Sequence, residues 1–420
     1  MTYARVYMFT NISDSYKNNM MKRTVSYYII ALIFLGIFSC KSERLAPVIE
    51  AQERNDISDN THVLDIAKYT IDTLSLDKLI YDVKYIELEN QPEACMTVPM
   101  NVKIAKGIIY VSDLDENLFC FDSTGHFLRK AFKKGRGHGE VHRMYDYDVD
   151  DSLLYVLDGT TSAISTFSHD GLFVGKKEIP FRALGFSCEN DNYFFQLAPY
   201  GLENKDNDDM IAVTDSAFNI LYTSFKYDLE RCNPVKRTPS FTKGSNLYAP
   251  IYGRSIYRMG KDSMDLAYYL KFDTPYYEPN KKYKGEKEAV DKNIYYTYDS
   301  PIVGEDILMQ NFTTSTNCRG TLLLNLNDHR FFFVRHFLQD SPYVYNFLFS
   351  DTKFYNAASK EFVAIGETYY SGEHDDDIKR IKASLKESAA KCIIKESEVF
   401  SENPVLILYK LHADECKQRK

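Results

Sequence analysis

Short apolar segments separated by polar turns recur along the chain, and two of them form an internal repeat. The first unit contains the run Ile109–Asp113 and the second contains Leu154–Asp158, so the terminal aspartates lie 45 residues apart. The glycines that follow, Gly125 and Gly171, lie 46 residues apart. Each unit is an apolar strand ending in Asp, a second strand, a glycine turn and a third strand. A period of this length made of short strands predicts the blades of a β-propeller.

Weaker copies of the pattern follow toward the C-terminus. Apolar runs flanking polar turns predict hairpins within 255–272, 321–334 and 347–365. Dividing the chain by the period does not fix the number of blades, because polar insertions of unequal length interrupt it. These insertions are expected to be loops and cover 203–209, 228–246 and 276–293.

A strand-like run lies at each end of the repeat region. Residues 83–89 alternate between apolar and polar side chains, and residues 405–411 are mostly apolar. Unpaired strand edges are costly, so a propeller closes its ring by completing one blade from both ends of the chain. We therefore expect these two runs to share a blade, within a propeller spanning 66–412 and followed by a polar tail over 413–420.

One segment has helical periodicity. Three aspartates at 375–377 precede apolar residues at 378, 381, 385 and 389. Acidic residues suit the first turn of a helix, and this spacing gives one apolar stripe. The pattern predicts one short helix near the C-terminus, inserted before the last strand.

The first 40 residues have a different organisation. Lys22 and Arg23 precede an uncharged, largely apolar run that ends at Ser39. This order is typical of a secretory signal. The 17 residues without charge would span roughly 25 Å as a helix, less than the hydrocarbon core of about 30 Å. A signal peptide over 20–39 is therefore favoured over a membrane-spanning helix, with residues 1–19 as an upstream, non-native extension.

The signal ends in Ile37-Phe38-Ser39-Cys40, which resembles the lipobox of bacterial lipoproteins. The resemblance implies that Cys40 is lipidated and becomes the first residue of the mature chain, although Phe38 is bulkier than usual. A cleaved signal without lipid, or a single anchor helix, remains the alternative. Polar sequence after Cys40 predicts a flexible tether over 40–65.

Composition narrows the range of partners. Asp and Glu number 59 against 51 Lys and Arg, which gives a net charge of −8. An acidic chain is not attracted to a polyphosphate backbone, so nucleic acid is not an expected partner. The 33 Tyr and 27 Phe favour strands. The other seven cysteines form no CxxC pair, so no zinc knuckle or disulfide framework is predicted, while a single disulfide stays open.

The glycine-rich loop from Gly135 to Glu140 carries the best candidate chemistry. His138 and His142 would face one metal only on a helix, and three glycines in five residues make a helix unfavourable. The loop also lacks the Walker A and complete G-x-G-x-x-G patterns. Its successive backbone N–H groups suit a carboxylate, so we expect Glu140 and Arg136 to stabilise each other within a structured loop between blades.

Several aspartates alternate along one run of the sequence or lie at the ends of predicted strands. Asp146, Asp148 and Asp150 alternate as in a calcium loop, but they lack its Gly and Glu positions. One solvated strand face leading into a turn is the expected reading. Asp113 and Asp158 are expected to accept hydrogen bonds from turn N–H groups, and no metal or other cofactor is predicted.

The segments 105–180 and 400–412 resemble bacterial six-bladed β-propeller lipoproteins with NHL-like repeats. The resemblance is carried by Phe121–Gly125, by Gly135–Glu140 with His138 in the place of a Pro, and by the final strand from Asn403. It implies an all-β fold of six four-stranded antiparallel blades and an address at the cell envelope. Residue 41 is Lys, which favours the outer membrane without fixing the face.

Three functions are compatible with these expectations. The favoured one is a non-catalytic module that binds a glycan, peptide or protein partner, with Arg136, His138 and Glu140 as candidate ligand-binding residues. A propeller-type hydrolase or lyase acting at the central channel is the first alternative, and a structural subunit of an envelope complex is the second. Loops on a rigid propeller vary without disturbing the blades, so the site is expected on the channel or loop face.

Overall fold

A computed structural model gives the architecture of most of the repeat region. It describes residues 61–189, 192–199, 209–226, 247–250, 255–272, 295–296, 301–314, 319–338, 349, 351–366, 392–393 and 403–412. The expected signal peptide, Cys40 and the helix expected at 375–389 lie outside these residues. Among the described residues, no helix has the length and apolar character needed to cross a bilayer.

The described chain begins with an N-terminal strap, residues 62–87, that runs along the outside of three blades. Two short 3₁₀ turns, Ala67–Tyr69 and Leu76–Lys78, separate its strands. The strands are β1 (His62–Asp65), β2 (Thr70–Ser75) and β3 (Ile80–Glu87). Because β1 already pairs within a sheet, the ordered sheet begins four residues before the expected start at 66.

Blades 1 to 3 each consist of four consecutive antiparallel strands. Blade 1 contains β4 (Pro99–Ala105), β5 (Ile108–Asp113), β6 (Leu118–Asp122) and β7 (Phe127–Lys130). A short parallel pair, β8 (Lys133–Lys134) and β9 (Glu140–Val141), leads into blade 2. Blade 2 contains β10 (Met144–Val149), β11 (Leu153–Asp158), β12 (Ala163–Ser168) and β13 (Phe173–Glu178). Blade 3 contains β14 (Ala183–Glu189), β15 (Asn192–Leu197), β16 (Asp209–Thr214) and β17 (Ile220–Lys226).

Blades 4 to 6 combine C-terminal strands with strands of the N-terminal strap. Blade 4 contains β18 (Leu247–Tyr248), β19 (Ser255–Met259) and β20 (Met264–Lys271), with β1 outside. Blade 5 contains β21 (Tyr295–Tyr296), β22 (Ile302–Val303), β23 (Ile307–Thr314), β24 (Arg319–Asn325) and β25 (Phe331–Leu338), with β2 outside. Blade 6 contains β26 (Thr352–Asn356), β27 (Glu361–Gly366), β28 (Cys392–Ile393) and β29 (Val405–Leu411), with β3 beside β29.

The predicted ring closure is confirmed by the pairing of β3 with β29. The two strands are antiparallel, with Tyr85 opposite Ile407 and Glu87 opposite Val405. The hairpins expected at 255–272 and 321–334 are also present. The third hairpin is formed by β26, which begins at Thr352, and β27. Of the first strand expected at 347–349, residues 347–348 lie outside the described residues, and Phe349 lies in a turn.

Six apolar clusters among the described residues fill the spaces between neighbouring blades. Between blades 1 and 2, Tyr110 and Cys120 pack with Tyr147, Val156 and Phe167. Equivalent clusters join the other neighbouring pairs around the ring, including blade 6 to blade 1. Blade faces are therefore buried on both sides, which explains why β5 and β11 begin with continuous apolar runs, Ile108–Val111 and Leu153–Leu157, rather than alternating.

The glycine turns of the repeat have the conformation that the sequence predicts. Gly125 and Gly171 both have φ +86°, the left-handed region that disfavours other residues. A Cβ at Gly125 would also overlap the carbonyl oxygen of Glu87 on β3. Blade 1 thus approaches blade 6 closely through this turn, and Glu89 N donates to Gly125 O at 2.8 Å.

Candidate functional site

The alternating aspartates of β10 lie in the interior, so the expected solvated strand face is wrong. Asp146 and Asp148 are 6% and 1% exposed. Asp146 Oδ2 accepts from Phe186 N at 2.9 Å, and Asp148 Oδ2 accepts from Cys188 N at 3.0 Å. The inner edge of a blade leaves N–H groups without a strand partner, and the carboxylates of the neighbouring blade satisfy them.

A lysine from blade 1 completes this buried layer. Lys103 Nζ lies 2.8 Å from Asp148 Oδ1. Burial raises the pKa of Asp146 to about 6, and Lys103 and two backbone N–H groups oppose that rise only in part. Asp150, the third aspartate of the run, instead accepts from Ser152 N at 2.7 Å in the following turn. The three carboxylates therefore have separate partners and do not converge.

The expected roles of the strand-end aspartates are confirmed. Asp113 Oδ1 accepts from Asn117 N at 2.8 Å. Asp158 Oδ2 accepts from His142 N and Asp158 Oδ1 from Thr160 N, each at 3.0 Å. Burial disfavours the charged form of Asp158, but its N–H donors and Lys176 outweigh that effect and hold its pKa below the usual value.

The glycine-rich loop is a carboxylate cradle, and Glu140 occupies it. Gly137 N donates to Glu140 Oε2 at 2.8 Å. A Cβ at Gly135 would overlap the same carboxylate, so the close approach requires glycine there. The backbone of the loop therefore binds a carboxylate, as the sequence predicts, and that carboxylate belongs to Glu140 of the same loop.

Arg136 does not stabilise Glu140 as expected. Its Nε donates to His142 Nε2 at 3.4 Å instead. His138 is exposed, and its ring meets the Phe173 ring edge to face, with 4.9 Å between centroids. The loop therefore fixes His138 against blade 2, while Arg136 lies apart from the other two candidate residues.

His138 and Glu140 line a cleft of about 690 Å³ between blades 1 and 2, here called the blade 1–2 cleft. Lys133 and Lys134 form its basic wall, and Lys130 borders it at the end of β7 with its ammonium group over Phe119 on the blade 6 side. The cleft thus contains two of the three predicted residues, together with lysines that the sequence motifs did not indicate.

The basic wall has few internal partners among the described residues. Lys130 Nζ lies 5.2 Å from the centroid of the Phe119 ring, and Lys134 Nζ donates to Asp115 O. Lys133 is exposed, and no carboxylate within the described chain forms an ion pair with any of the three lysines. The sequence carried a signal for this wall, because five of the eight residues 129–136 are basic in an acidic chain.

An aromatic group forms the opposite wall and floor. Phe132 and Phe167 stack with 6.1 Å between ring centroids, and Phe167 meets Phe173 edge to face at 5.7 Å. Phe167 is buried, whereas Phe132 and Phe173 are half-buried. The cleft therefore combines ammonium groups with an apolar base, which suits an anionic ligand that also has an apolar part.

Three solved structures are similar to this chain over most of its length. A protein from Bacteroides fragilis described as exported has 14% identity and a TM-score of 0.63, over 83% of this chain and 99% of that one. A DUF4221 member from Bacteroides vulgatus has 10% identity and a TM-score of 0.46, over 80% and 97%. A streptogramin B lyase has 12% identity and a TM-score of 0.38, over 80% and 98%. The first similarity shows the fold alone, and the other two carry no functional argument.

Sequence comparison places the chain more firmly. No curated protein matches it significantly. The profile of the DUF5128 family, described as a 6-bladed beta-propeller, matches residues 52–317. The match covers more than half of the chain, and six blades are present in the structure. The chain therefore belongs to the DUF5128 family of six-bladed β-propellers.

Proposed function

We propose that this propeller is an exported, lipid-anchored binding module and that the blade 1–2 cleft binds a carboxylate-bearing ligand. The observation that carries the proposal is the pair Lys133 and Lys134 beside an apolar floor in a chain of net charge −8. A local positive surface on an acidic protein attracts and orients an anionic ligand.

The contacts within the cleft support binding. Glu140 Oε2 accepts from Gly137 N, and among the described residues Glu140 forms no ion pair with the lysines. The ammonium groups therefore keep their charge available for a ligand.

The buried layer near the ring centre gives less support to the catalytic alternative. Asp146, Asp148 and Lys103 are the buried acidic and basic groups of the innermost described strands of blades 1 and 2, β10 and β4. Both carboxylates accept backbone hydrogen bonds, and Lys103 pairs with Asp148. Groups that already have these partners have no free face for general acid–base chemistry on a substrate.

Charge reversal in the cleft tests the proposed binding. The probes are fluorescein-labelled poly-glutamate and polygalacturonate, which carry carboxylates on different backbones. We expect the double variant Lys133→Glu, Lys134→Glu to weaken binding of the preferred probe by roughly tenfold or more, because two attractive charges become repulsive. Fluorescence anisotropy at low and physiological salt measures the affinity.

A matched control separates the cleft from net charge. The double variant Lys78→Glu, Lys261→Glu makes the same charge change at exposed positions of the strap and blade 4. It should leave the affinity within about twofold, since exposed charges beyond a Debye length are screened. If neither probe binds the parent protein, or both double variants weaken binding equally, the cleft is not the proposed site.

Lipidation of Cys40 is tested by fractionation. Stable anchoring takes more than one acyl chain, since each buried CH₂ contributes about 0.8 kcal/mol. We expect Cys40→Ser to release the protein from the membrane fraction, while Cys95→Ser in the propeller leaves it there. Immunoblotting after a carbonate wash measures the distribution. A Cys40→Ser protein that still sediments would instead support an uncleaved anchor helix.

A further inference from the structure

The outer edges of three blades in this propeller already hold an added parallel strand. In blade 5, β2 pairs with β25, with Thr70 opposite Phe333 and Ser75 opposite Leu338. In blade 4, β1 pairs with β20 in the same parallel manner. In blade 6, β28 adds to β3, although β3 already lies outside β29. Blades 5 and 6 thus extend beyond four strands by pairing at the outer edge.

Blades 1 and 2 present the same edge without such a strand in the described chain. Their outermost strands are β7 and β13, each paired on one side only. Apolar side chains on or beside these strands are exposed: Leu128 by 46%, Leu172 by 70% and Val174 by 59%. A strand edge with exposed apolar side chains is a template for pairing with another chain.

The hydrogen bonds around β7 show which backbone groups are available. Ala131 N donates inward to Leu118 O on β6. Because successive N–H groups of an extended strand point in opposite directions, the N–H of Lys130 points away from β6. Phe127 N is already bound by Glu89 Oε2 at 2.8 Å, so pairing is limited to the part of β7 that enters the cleft.

The positive charge on these edges disfavours self-association and favours an acidic partner. β7 ends in Arg129-Lys130, and β13 contains Lys176-Lys177. Two copies that paired through these edges would bring like charges together, whereas a strand carrying carboxylates would meet the lysines of the cleft.

We propose that the blade 1–2 cleft takes an extended acidic segment of another polypeptide, which pairs with β7 as a fifth strand. The proposal rests on the function proposed above and names its ligand class. Carboxylates of the segment meet Lys133 and Lys134, while its apolar side chains lie on Phe132. The outer edge of β7 from Leu128 to Lys130 provides the backbone pairing, and the rest of a segment of roughly eight residues, about 27 Å long, extends along the cleft.

The aromatic groups favour a polypeptide over an acidic glycan. Sugar rings bind best on exposed flat aromatic faces, and the chain contains no Trp. In the cleft, Phe167 is buried, and Phe173 is covered by the edge contact with His138. Backbone pairing, by contrast, needs only the strand edge that β7 supplies.

Backbone methylation of a peptide probe tests strand pairing without changing any side chain. The parent probe is a labelled eight-residue peptide of alternating Glu and Val. Two further probes carry N-methyl groups on either the Glu or the Val residues. A strand that pairs on one side uses only one alternating set of N–H groups, so one methylated probe should lose roughly tenfold in affinity and the other should bind like the parent.

A pair of protein variants tests the same bond from the other side. Lys130→Ala removes the charge, whereas Lys130→Pro also removes the outward N–H, which an edge strand tolerates. Lys130→Pro should bind the parent peptide several-fold more weakly than Lys130→Ala, with the melting temperatures of the two variants alike. If Lys130→Pro is unfolded, the comparison of the methylated probes still decides.

The outcomes distinguish the two proposals. Equal binding of both methylated probes, or binding of polygalacturonate but not of the peptide, overturns strand pairing and leaves the carboxylate site intact. If the protein dimerises as its concentration rises and the peptide does not displace the second copy, the edge of β7 binds another copy of the chain. That result also overturns strand pairing with an acidic segment. Failure of every polyanion and peptide to bind would overturn the proposed function itself.

Discussion

Blades 1 to 3 and blades 4 to 6 are built from similar strands in two different ways. Each of the first three takes four consecutive strands from one stretch of chain. Each of the last three takes a strand from the N-terminal strap: β1 for blade 4, β2 for blade 5 and β3 for blade 6. Among the described residues, the outer edges of blades 1 and 2 therefore have no added strand, whereas β1 and β2 cover the outer edges of blades 4 and 5.

The difference shows how one ring can serve both stability and binding. In the strapped half, pairs such as Tyr85 with Ile407 join residues more than 300 positions apart. Such long-range pairing closes the ring but carries a large loop-closure cost during folding. In the consecutive half, each blade forms from local hairpins, so its edge can remain available for a partner.

Truncation before the last strand should have the largest effect, because it breaks the strapped half. Removing residues from Asn403 onward deletes β29 and separates β3 from β27. It exposes the apolar clusters between blades 5 and 6 and between blades 6 and 1. We expect loss of the cooperative thermal transition, measured by circular dichroism.

A shorter truncation gives the control. Removing residues 413–420 leaves β29 and His412 in place and should preserve the melting temperature. A protein that lacks residues 403–420 yet retains the parent melting curve would show that the ring does not depend on this closure.

The consecutive half was the more predictable from sequence. Its repeat is visible because Asp113 and Asp158 perform the same hydrogen bonding at the same strand end. The strap was predicted only at β3, since parallel strands such as β1 and β2 bind their blades through backbone groups. Those contacts leave no periodic signal when the partner lies far away in the chain.

The candidate site was predictable in part for a related reason. The Glu140 carboxylate leaves no room for side chains at Gly135 and Gly137. The glycine-rich motif of this loop therefore indicated the contact. The cleft lies between two blades, and its lysines come from β7 and the following segment. Spacing along one strand cannot show which side chains of the neighbouring blade face them, and this is why Phe167 and Phe173 were not included.

A buried amide provides a smaller disturbance of the strapped half. Asn403 Oδ1 accepts from Met96 N at 3.1 Å, and its Nδ2 donates to Ala94 O at 2.9 Å and Glu89 O at 2.8 Å. Asn403→Ala leaves buried backbone groups unpaired, so we expect it to lower the free energy of unfolding by about 2–4 kcal/mol. Urea denaturation measures the change.

Asn356, the half-buried last residue of β26, is a suitable comparison because its side-chain hydrogen bond is exposed. It accepts a single bond from Ala358 N at 3.1 Å. Asn356→Ala should cost no more than about 1 kcal/mol, because water replaces the lost acceptor. Equal losses for the two variants would mean that Asn403 does not connect blade 6 to the segment before blade 1 in the way proposed.

The smallest predicted effect lies in the consecutive half and depends on pH. Burial raises the pKa of Asp146 from 3.8 to about 6, so the folded state binds a proton more tightly than the unfolded state. The contribution of Asp146 is therefore fully favourable below about pH 4 and is lost as the pH rises toward 6. The difference corresponds to at most roughly 3 kcal/mol.

Asp146→Asn should remove this part of the pH dependence. Asn101 occupies the equivalent position on β4, where its Oδ1 accepts from Val102 N at 2.9 Å just as Asp146 Oδ1 accepts from Tyr147 N at 2.8 Å. Denaturation from pH 4 to 6 should show the parent protein losing stability relative to the variant as the pH rises. Asp215 provides the opposite sign, since hydrogen bonds from Asn219 lower its pKa and its contribution is lost as the pH falls. A parent and an Asp146→Asn protein with parallel pH profiles would mean that Asp146 is already ionised in the folded ring at pH 4, with Lys103 and the two backbone donors outweighing its burial.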